Sequence, residues 1–282
     1  MKIDAHQHFW LPDRVEVEWM KNLRGEAARR LVRPVLPDEL APILAQHGFE
    51  RTVLVQVATN DHEADFLFEI VQAHPFVAGA VVWLDMDRPD FEAQLERCLA
   101  RPEFLGIRPM IENISDPDWV RRPLVRRAFH MLEERNVCFD FLVKHHQLEA
   151  VLSVLAECPR LRAVIDHIAK PAIARRELDP WRAQLERVSE SAGVYCKLSG
   201  MITEADHERW TPADLAPYIE HAVRCFGPAR CMFGSDWPVC TLAASYERVL
   251  DALETTLSQL SLSGDDRARI FGETAREFYR LG

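Results

Sequence analysis

Two histidines stand one residue apart near the start of the chain, His6 and His8 in the run IDAHQHFW. Side chains on a β-strand alternate between its two faces, so the strand is predicted to send both imidazoles to the same place. Such a pair can hold a metal ion or polarise a carbonyl group. The alternative is a partly buried strand with histidine at its polar positions, and the motif alone leaves both interpretations open.

Eight short apolar runs rich in β-branched residues predict the buried strands of a parallel sheet. They are residues 2–9, 51–58, 77–86, 104–111, 138–144, 162–170, 194–201 and 230–236. Amphipathic patterns between them predict helices at 63–74, 89–100, 122–135, 147–157, 180–191, 213–226 and 244–260, with a closing helix near 265–280. This alternation predicts an α/β fold, a single-domain (β/α)8 TIM barrel over residues 1–282.

An open, doubly wound sheet is the alternative architecture. It usually has a glycine-rich turn after its first strand, whereas this chain has only 11 glycines, and this favours the barrel. Residues 10–48 form a long connection with one short helix predicted near 38–47. Because long loops after barrel strands carry function, we expect this segment to lie as a lid over the barrel mouth.

Ionisable residues follow six of the eight predicted strands, at the end where barrel enzymes build their active sites. They are His6 and His8, then Arg108, then Lys144, His145 and His146, then Asp166, His167 and Lys170, then Lys197, and finally Asp236. Any one of them alone is explained as a capping or surface residue. Their recurrence at strand ends predicts a common site.

The composition excludes some classes of partner. A formal net charge of −10 argues against nucleic acid or an anionic membrane. The seven scattered cysteines include no C-x-x-C pair, which predicts reduced thiols and a cytoplasmic location. No apolar run approaches the roughly 20 residues of a membrane span, and the N-terminus lacks the pattern of a signal peptide.

Five motifs along the chain, DAHQHFW, GIRP, DHIAKP, CKLSG and FGSDWPV, resemble those of the amidohydrolase superfamily. Within it, the order and spacing are similar to the sugar lactonase branch, which includes L-fuconolactonases and L-rhamnonolactonases. The resemblance assigns the site to His6, His8, His167 and Asp236. In the wider superfamily a carboxylated lysine after the fourth strand bridges two metal ions. Arg108 stands there in this chain, so the resemblance does not predict a two-metal site.

These four residues support two kinds of chemistry. Three imidazoles and one carboxylate are a complete ligand set for a single divalent ion, Zn²⁺ or Mn²⁺, with a position left for water. Without metal, Asp236 can take a proton from water while the imidazoles donate to the carbonyl oxygen. Because a lactone is more reactive than an amide, we expect hydrolysis with no required cofactor, one divalent metal being the alternative.

The expected partner is a small sugar-acid lactone. The candidate substrate-binding residues are Gln7, Trp10, Arg108, Lys144, His145, His146 and Lys170, because groups that hydrogen-bond a hydroxyl discriminate against analogues lacking it. A dicarboxylated lactone would need several arginines, and only Arg108 is placed at the site, so we expect a neutral polyol lactone. The alternatives are a metal-dependent decarboxylase or amide hydrolase on the same barrel, and a non-catalytic carbohydrate-binding protein.

Overall fold

Eight parallel strands form one sheet in chain order in the computed structural model, which describes residues 1–282. The strands are β1 (Lys2–Gln7), β2 (Phe49–Val55), β3 (Val77–Val82), β4 (Phe104–Ile107), β5 (Cys138–Phe141), β6 (Ala163–Ile165), β7 (Val194–Leu198) and β8 (Cys231–Phe233). Because β1 also packs against β8, the sheet curves into a barrel. The predicted (β/α)8 fold is therefore confirmed.

Helices surround the barrel. They are α1 (Gly25–Leu31), α2 (Pro37–Gln46), α3 (Glu63–Ala73), α4 (Phe91–Leu99), α5 (Pro123–Glu134), α6 (Leu148–Glu157), α7 (Trp181–Ser189), α8 (Pro212–Phe226), α9 (Tyr246–Ser258), α10 (Gly264–Ala268) and α11 (Thr274–Tyr279). The closing helix predicted near 265–280 is split into α10 and α11 by a π-helical turn, Arg269–Glu273. There the backbone passes so close to β1 that a Cβ on Gly272 would come 2.1 Å from the Met1 carbonyl oxygen.

Most strands end earlier than their apolar runs predict. The sixth run, 162–170, contributes only Ala163–Ile165 to the sheet, because His167 and the next three residues adopt positive φ. Asp236 likewise has a φ of 57° and lies beyond β8. Most of the ionisable residues therefore stand in loops just past the strands, whereas His6 and Lys197 lie within β1 and β7.

The barrel seam between β1 and β8 is closed by backbone hydrogen bonds of the candidate site residues. The Asp236 N–H donates to the His6 carbonyl, and the His8 N–H donates to the Trp237 carbonyl, both at 2.8 Å. One extra residue lies in β1 between Asp4 and Gln7, relative to its partner β2. Such a β-bulge re-aims the side chains that follow it.

Below the site the barrel interior is apolar. Residues of six strands meet the C-terminal segment in one buried cluster: Ile3, Ala5, Val53, Val55, Val81, Cys138, Val164, Met232, Ala275, Phe278, Tyr279 and Leu281, with Leu105 of β4 and Tyr195 of β7 packed against it. Helix α11 thus plugs the bottom of the barrel.

All seven cysteines are free thiols. No helix combines the length and the apolar content needed to cross a bilayer.

The segment 10–48 is held together by contacts between its first residue and its middle. The Trp10 indole N–H reaches the Leu31 and Arg33 carbonyls, each at 3.0 Å. Helix α2 lies where the sequence predicts it, whereas α1 and the 3-10 helix Glu18–Asn22 have no counterpart in the sequence prediction. The function of this segment as a lid stays a prediction.

A buried carboxylate holds the loop that follows β2. Glu63 accepts hydrogen bonds from the backbone N–H groups of Val57 (3.0 Å) and Ala58 (2.7 Å). Burial raises the pKa of Glu63 from 4.5 to about 7 despite these bonds. Val57 and Ala58 form part of the cavity described below, so Glu63 supports its wall.

The raised pKa of Glu63 makes stability depend on pH. Between about pH 4.5 and 7 the folded chain keeps a proton on Glu63 that the unfolded chain has lost. The contribution of this proton to the free energy of unfolding is therefore full below pH 4.5 and is lost as the pH rises through 7. Glu63→Gln has no such proton. We expect the unfolding free energy of the wild type, relative to Glu63→Gln, to fall between pH 4.5 and 7 in urea titrations. A difference that is constant with pH would contradict this.

Candidate active site

A cavity of about 510 Å³ opens at the carboxyl ends of the strands. Five of the residues singled out in the sequence line it: His8, Arg108, His167, Lys170 and Asp236. These residues follow β1, β4, β6 and β8, so the barrel gathers them from distant parts of the chain. This is the face at which barrel enzymes place their catalytic groups.

Asp236 lies at the centre of the imidazole cluster. Its Oδ1 is 3.2 Å from His8 Nε2 and 3.9 Å from His6 Nε2. His6 is fully buried directly behind the cavity, and its ring centroid lies 4.5 Å from that of His167. Ligand atoms of His6, His167 and Asp236 all lie within 4.8 Å of one another. The four residues predicted to form the site therefore lie in one cluster, in which His8 contacts His6 and Asp236.

The hydrogen bonds of His8 define where its proton lies. Nδ1 is 2.7 Å from the Val55 carbonyl, which can only accept, so Nδ1 must carry a proton. In the neutral ring Nε2 then carries a lone pair and no proton. It lies 3.2 Å from Oδ1 of the Asp236 carboxylate. Two acceptors at this distance need a proton or a cation between them. The contact is therefore completed either by a proton on Nε2 or by a cation between the two groups.

His6 is held from behind by a buried lysine. Lys197 Nζ lies 3.1 Å from His6 Nδ1, 3.1 Å from Asp166 Oδ1 and 2.5 Å from Asp140 Oδ2. An ammonium can only donate, so Nδ1 accepts and the neutral ring carries its proton on Nε2. Tyr279 of α11 donates to Asp140 in turn. The C-terminal plug thereby supports the position of His6.

Burial and the charges in this network shift the pKa values of several side chains. Burial raises the pKa of Asp140 to about 6, although Lys197 opposes the shift. Burial also opposes ionisation of Asp166, but Lys197, His167 and Arg108 together hold its pKa below the ordinary value. Burial and then the charge of Lys197 hold the pKa of His6 well below 6.5. His6 is therefore a neutral imidazole at neutral pH.

His167 is presented to the cavity by an unusual turn. Its φ of 53° lies in the left-handed region. Ser199 Oγ lies 2.8 Å from Nδ1, which leaves Nε2 free. A Cβ on Gly200 would come 2.4 Å from that same Nδ1, so glycine is required there. Burial, followed by the nearby His6, lowers the pKa of His167 well below 6.5.

The other predicted substrate-binding residues do not line the cavity. The Gln7 side chain is fully buried between the two histidine positions, and the buried indole of Trp10 anchors segment 10–48. Lys144 and His146 are exposed. His145 is partly buried, and its Nδ1 lies 3.1 Å from the Lys170 carbonyl oxygen. It touches the site only through that backbone.

Several polar residues of the cavity wall are not among the residues predicted from the sequence. They are Glu18, Asn22, Thr59, Glu112, Asn113, Thr203 and Glu204. Most of them belong to short 3-10 helices, which have no apolar periodicity to reveal them. Glu112 and Glu204 could have been found from their positions, because they follow shortly after the predicted ends of strands four and seven.

The chain is similar to known proteins over its whole length. The family model of the amidohydrolases matches residues 3–281. An L-fucono-1,5-lactonase from Burkholderia ambifaria is 35% identical over 284 residues, covering 99% of this chain and 96% of that protein. Crystal structures of an amidohydrolase from Burkholderia multivorans, one with bound HEPES and one with bound zinc, match this chain over its full length. Their TM-scores are 0.92 and 0.91, with 32% and 31% identity.

This chain belongs to the amidohydrolase family. The family expected from the five sequence motifs is therefore confirmed.

Replacing Lys197 tests the buried network. Lys197→Met leaves Asp140 and Asp166 buried without their shared cation, so we expect a loss of about 3–5 kcal/mol in the free energy of unfolding. Urea denaturation followed by tryptophan fluorescence measures it. Lys144→Met, at an exposed lysine, is the control and is expected to change little. Equal stability of both variants would contradict the structural role of Lys197.

Proposed function

We propose that this chain hydrolyses sugar-acid lactones of the L-fuconolactone type to the corresponding aldonic acids. The observation that carries the proposal is the position of Asp236, whose carboxylate faces an open cavity beside three imidazoles. The full-length relative from Burkholderia ambifaria is an L-fucono-1,5-lactonase, which supports the same substrate class. The cavity of about 510 Å³ has room for a monosaccharide lactone and a water molecule.

Asp236 is the proposed general base. One carboxylate oxygen is engaged by His8, and the other makes no hydrogen bond within the protein. That free oxygen can accept a proton from a water molecule as the water attacks the lactone carbonyl carbon. The left-handed backbone of Asp236 and its bond to the His6 carbonyl hold the carboxylate in this direction.

The imidazoles are the proposed carbonyl-polarising groups. His6 Nε2 carries a proton and has no hydrogen-bond partner within the protein, so it can donate to the oxygen on which negative charge develops. His167 offers its free Nε2 in the same way when Ser199 donates to Nδ1. The cation of Arg108 adds to the favourable field.

Ring opening returns the proton. As the tetrahedral intermediate collapses, the bond between the carbonyl carbon and the ring oxygen breaks, and the leaving alkoxide takes the proton held by Asp236. The products are a carboxylic acid, which ionises at neutral pH, and a free hydroxyl group. One water is consumed, and Asp236 is again a carboxylate.

Three of the four predicted metal ligands, without His8, fit a single divalent ion such as Zn²⁺ or Mn²⁺. His6, His167 and Asp236 offer two nitrogens and an oxygen within 4.8 Å of one another, and His6 Nε2 is a buried atom without a partner. A bound ion would polarise the carbonyl as a Lewis acid. Binding through His6 requires its Nε2 proton to leave, so the affinity should rise with pH. The expectation that no cofactor is required gains no support from this ligand set.

Asp236→Asn tests the general base. The amide keeps the size of the side chain but cannot take the proton, so we expect turnover to fall by about 10²- to 10⁴-fold while the fold survives. A pH-indicator assay over a panel of neutral aldonolactones measures it. Asp251→Asn, at an exposed aspartate of α9, is the control. Unchanged turnover in Asp236→Asn would contradict this mechanism.

Metal binding is tested separately from turnover. We expect titration calorimetry to give about one Zn²⁺ per wild-type chain, with affinity reduced at least about tenfold in His167→Ala and unchanged in His207→Ala, an exposed histidine. Equal binding in both variants would contradict the ligand set. Activity after chelation then separates the alternatives. Loss restored by Zn²⁺ or Mn²⁺ assigns a required metal, and retained turnover assigns the reaction to side chains alone.

A further inference from the structure

Both cations of the cavity wall already have partners in the protein. Lys170 Nζ lies 2.6 Å from Glu112 Oε2. The Arg108 guanidinium donates to the Gln56 carbonyl and lies 3.8 Å from Asp166 Oδ2. Lys170 is thus neutralised by Glu112, and Arg108, although its Nε has no hydrogen-bond partner, is almost fully buried. The cavity therefore differs from a site built to bind an anion, in which arginines would meet the ligand directly.

Glu204 is the unpaired charge of the same wall. It belongs to the 3-10 helix Met201–Glu204 after β7, lines the cavity, and makes no salt bridge or side-chain hydrogen bond within the protein. Burial raises the pKa of Glu204, and the nearby Glu112 and Asp236 reinforce the shift while Lys170 opposes it. Its charge is thus poorly compensated by the protein.

The oxygens of a half-buried carboxylate need hydrogen-bond donors, and the protein supplies none to Glu204. A polyhydroxylated ligand supplies them, because each hydroxyl group can donate one hydrogen bond to a carboxylate oxygen. A ligand that carries its own carboxylate there would instead meet repulsion in a partly desolvated site. The Glu204 side chain alone can therefore distinguish polyhydroxylated neutral ligands from ligands that carry a carboxylate.

We propose that Glu204 is a specificity-determining residue, which accepts hydrogen bonds from the hydroxyl groups of a neutral lactone and rejects lactones that carry a carboxylate. This inference rests on the proposed lactone hydrolysis at the same site. It has a second consequence, because the reaction converts a neutral substrate into an anion. The same charge that admits the lactone weakens the binding of the aldonate product and favours its release.

Glu204→Gln tests the proposal because it removes the charge and keeps the shape. The measurement compares kcat/KM for a neutral aldonolactone with kcat/KM for the monolactone of an aldaric acid, which carries a carboxylate. We expect the variant to raise the relative rate with the charged lactone about tenfold, equivalent to about 1.4 kcal/mol of repulsion. Inhibition by the aldonate product should strengthen in parallel. Glu208→Gln, at an exposed neighbour, should leave both quantities unchanged.

The wild type provides a measurement that does not depend on folding of the variant. Raising the salt concentration from about 20 mM to about 500 mM screens charge, so the relative rate with the charged lactone should rise in the wild type and stay flat in Glu204→Gln. If the folded variant discriminates as the wild type does, or salt has no effect on the wild type, the role of Glu204 is overturned. If the wild type opens neither lactone, the proposed hydrolysis fails and this inference fails with it.

Discussion

The seam between the first and last strands is the constraint on which this site depends. Two backbone hydrogen bonds close the barrel there, from Asp236 to His6 and from His8 to Trp237. The residues that close the barrel also carry side chains of the proposed site. The distance between the Asp236 carboxylate and the two imidazoles is therefore set by these two hydrogen bonds at the ends of the first and last strands. The left-handed turn at Asp236 contributes as well.

A second constraint is the compensation of buried charge. Lys197, Asp140 and Asp166 are fully buried, and they are tolerated because each faces an opposite charge. Their arrangement fixes which nitrogen of His6 carries a proton, so a feature of core stability also determines what His6 can offer to a ligand. At the cavity wall the pattern differs, since Glu204 has no such partner. The buried charges behind the imidazoles thus neutralise one another, whereas the charge of Glu204 at the cavity wall has no partner in the protein.

The sequence predicts the barrel well because buried parallel strands are continuous apolar runs, and their order along the chain is their order in the sheet. The alternation of strand side chains predicts that His6 and His8 share a face. The same rule places Gln7 on the opposite face, so its expected contact with substrate conflicts with that alternation. Contacts such as Tyr279 with Asp140 join residues 139 positions apart, and no local pattern reveals them.

The closed seam also determines when the protein becomes able to act during its synthesis. His8 is translated well before its partner Asp236, which lies 228 positions later. The proposed general base, the barrel closure and the plug of the barrel floor by α11 all come after the first seven strands. A nascent or truncated chain that lacks β8 and the residues after it therefore holds its histidines without Asp236. Assembly of the proposed site requires that the whole barrel has been translated.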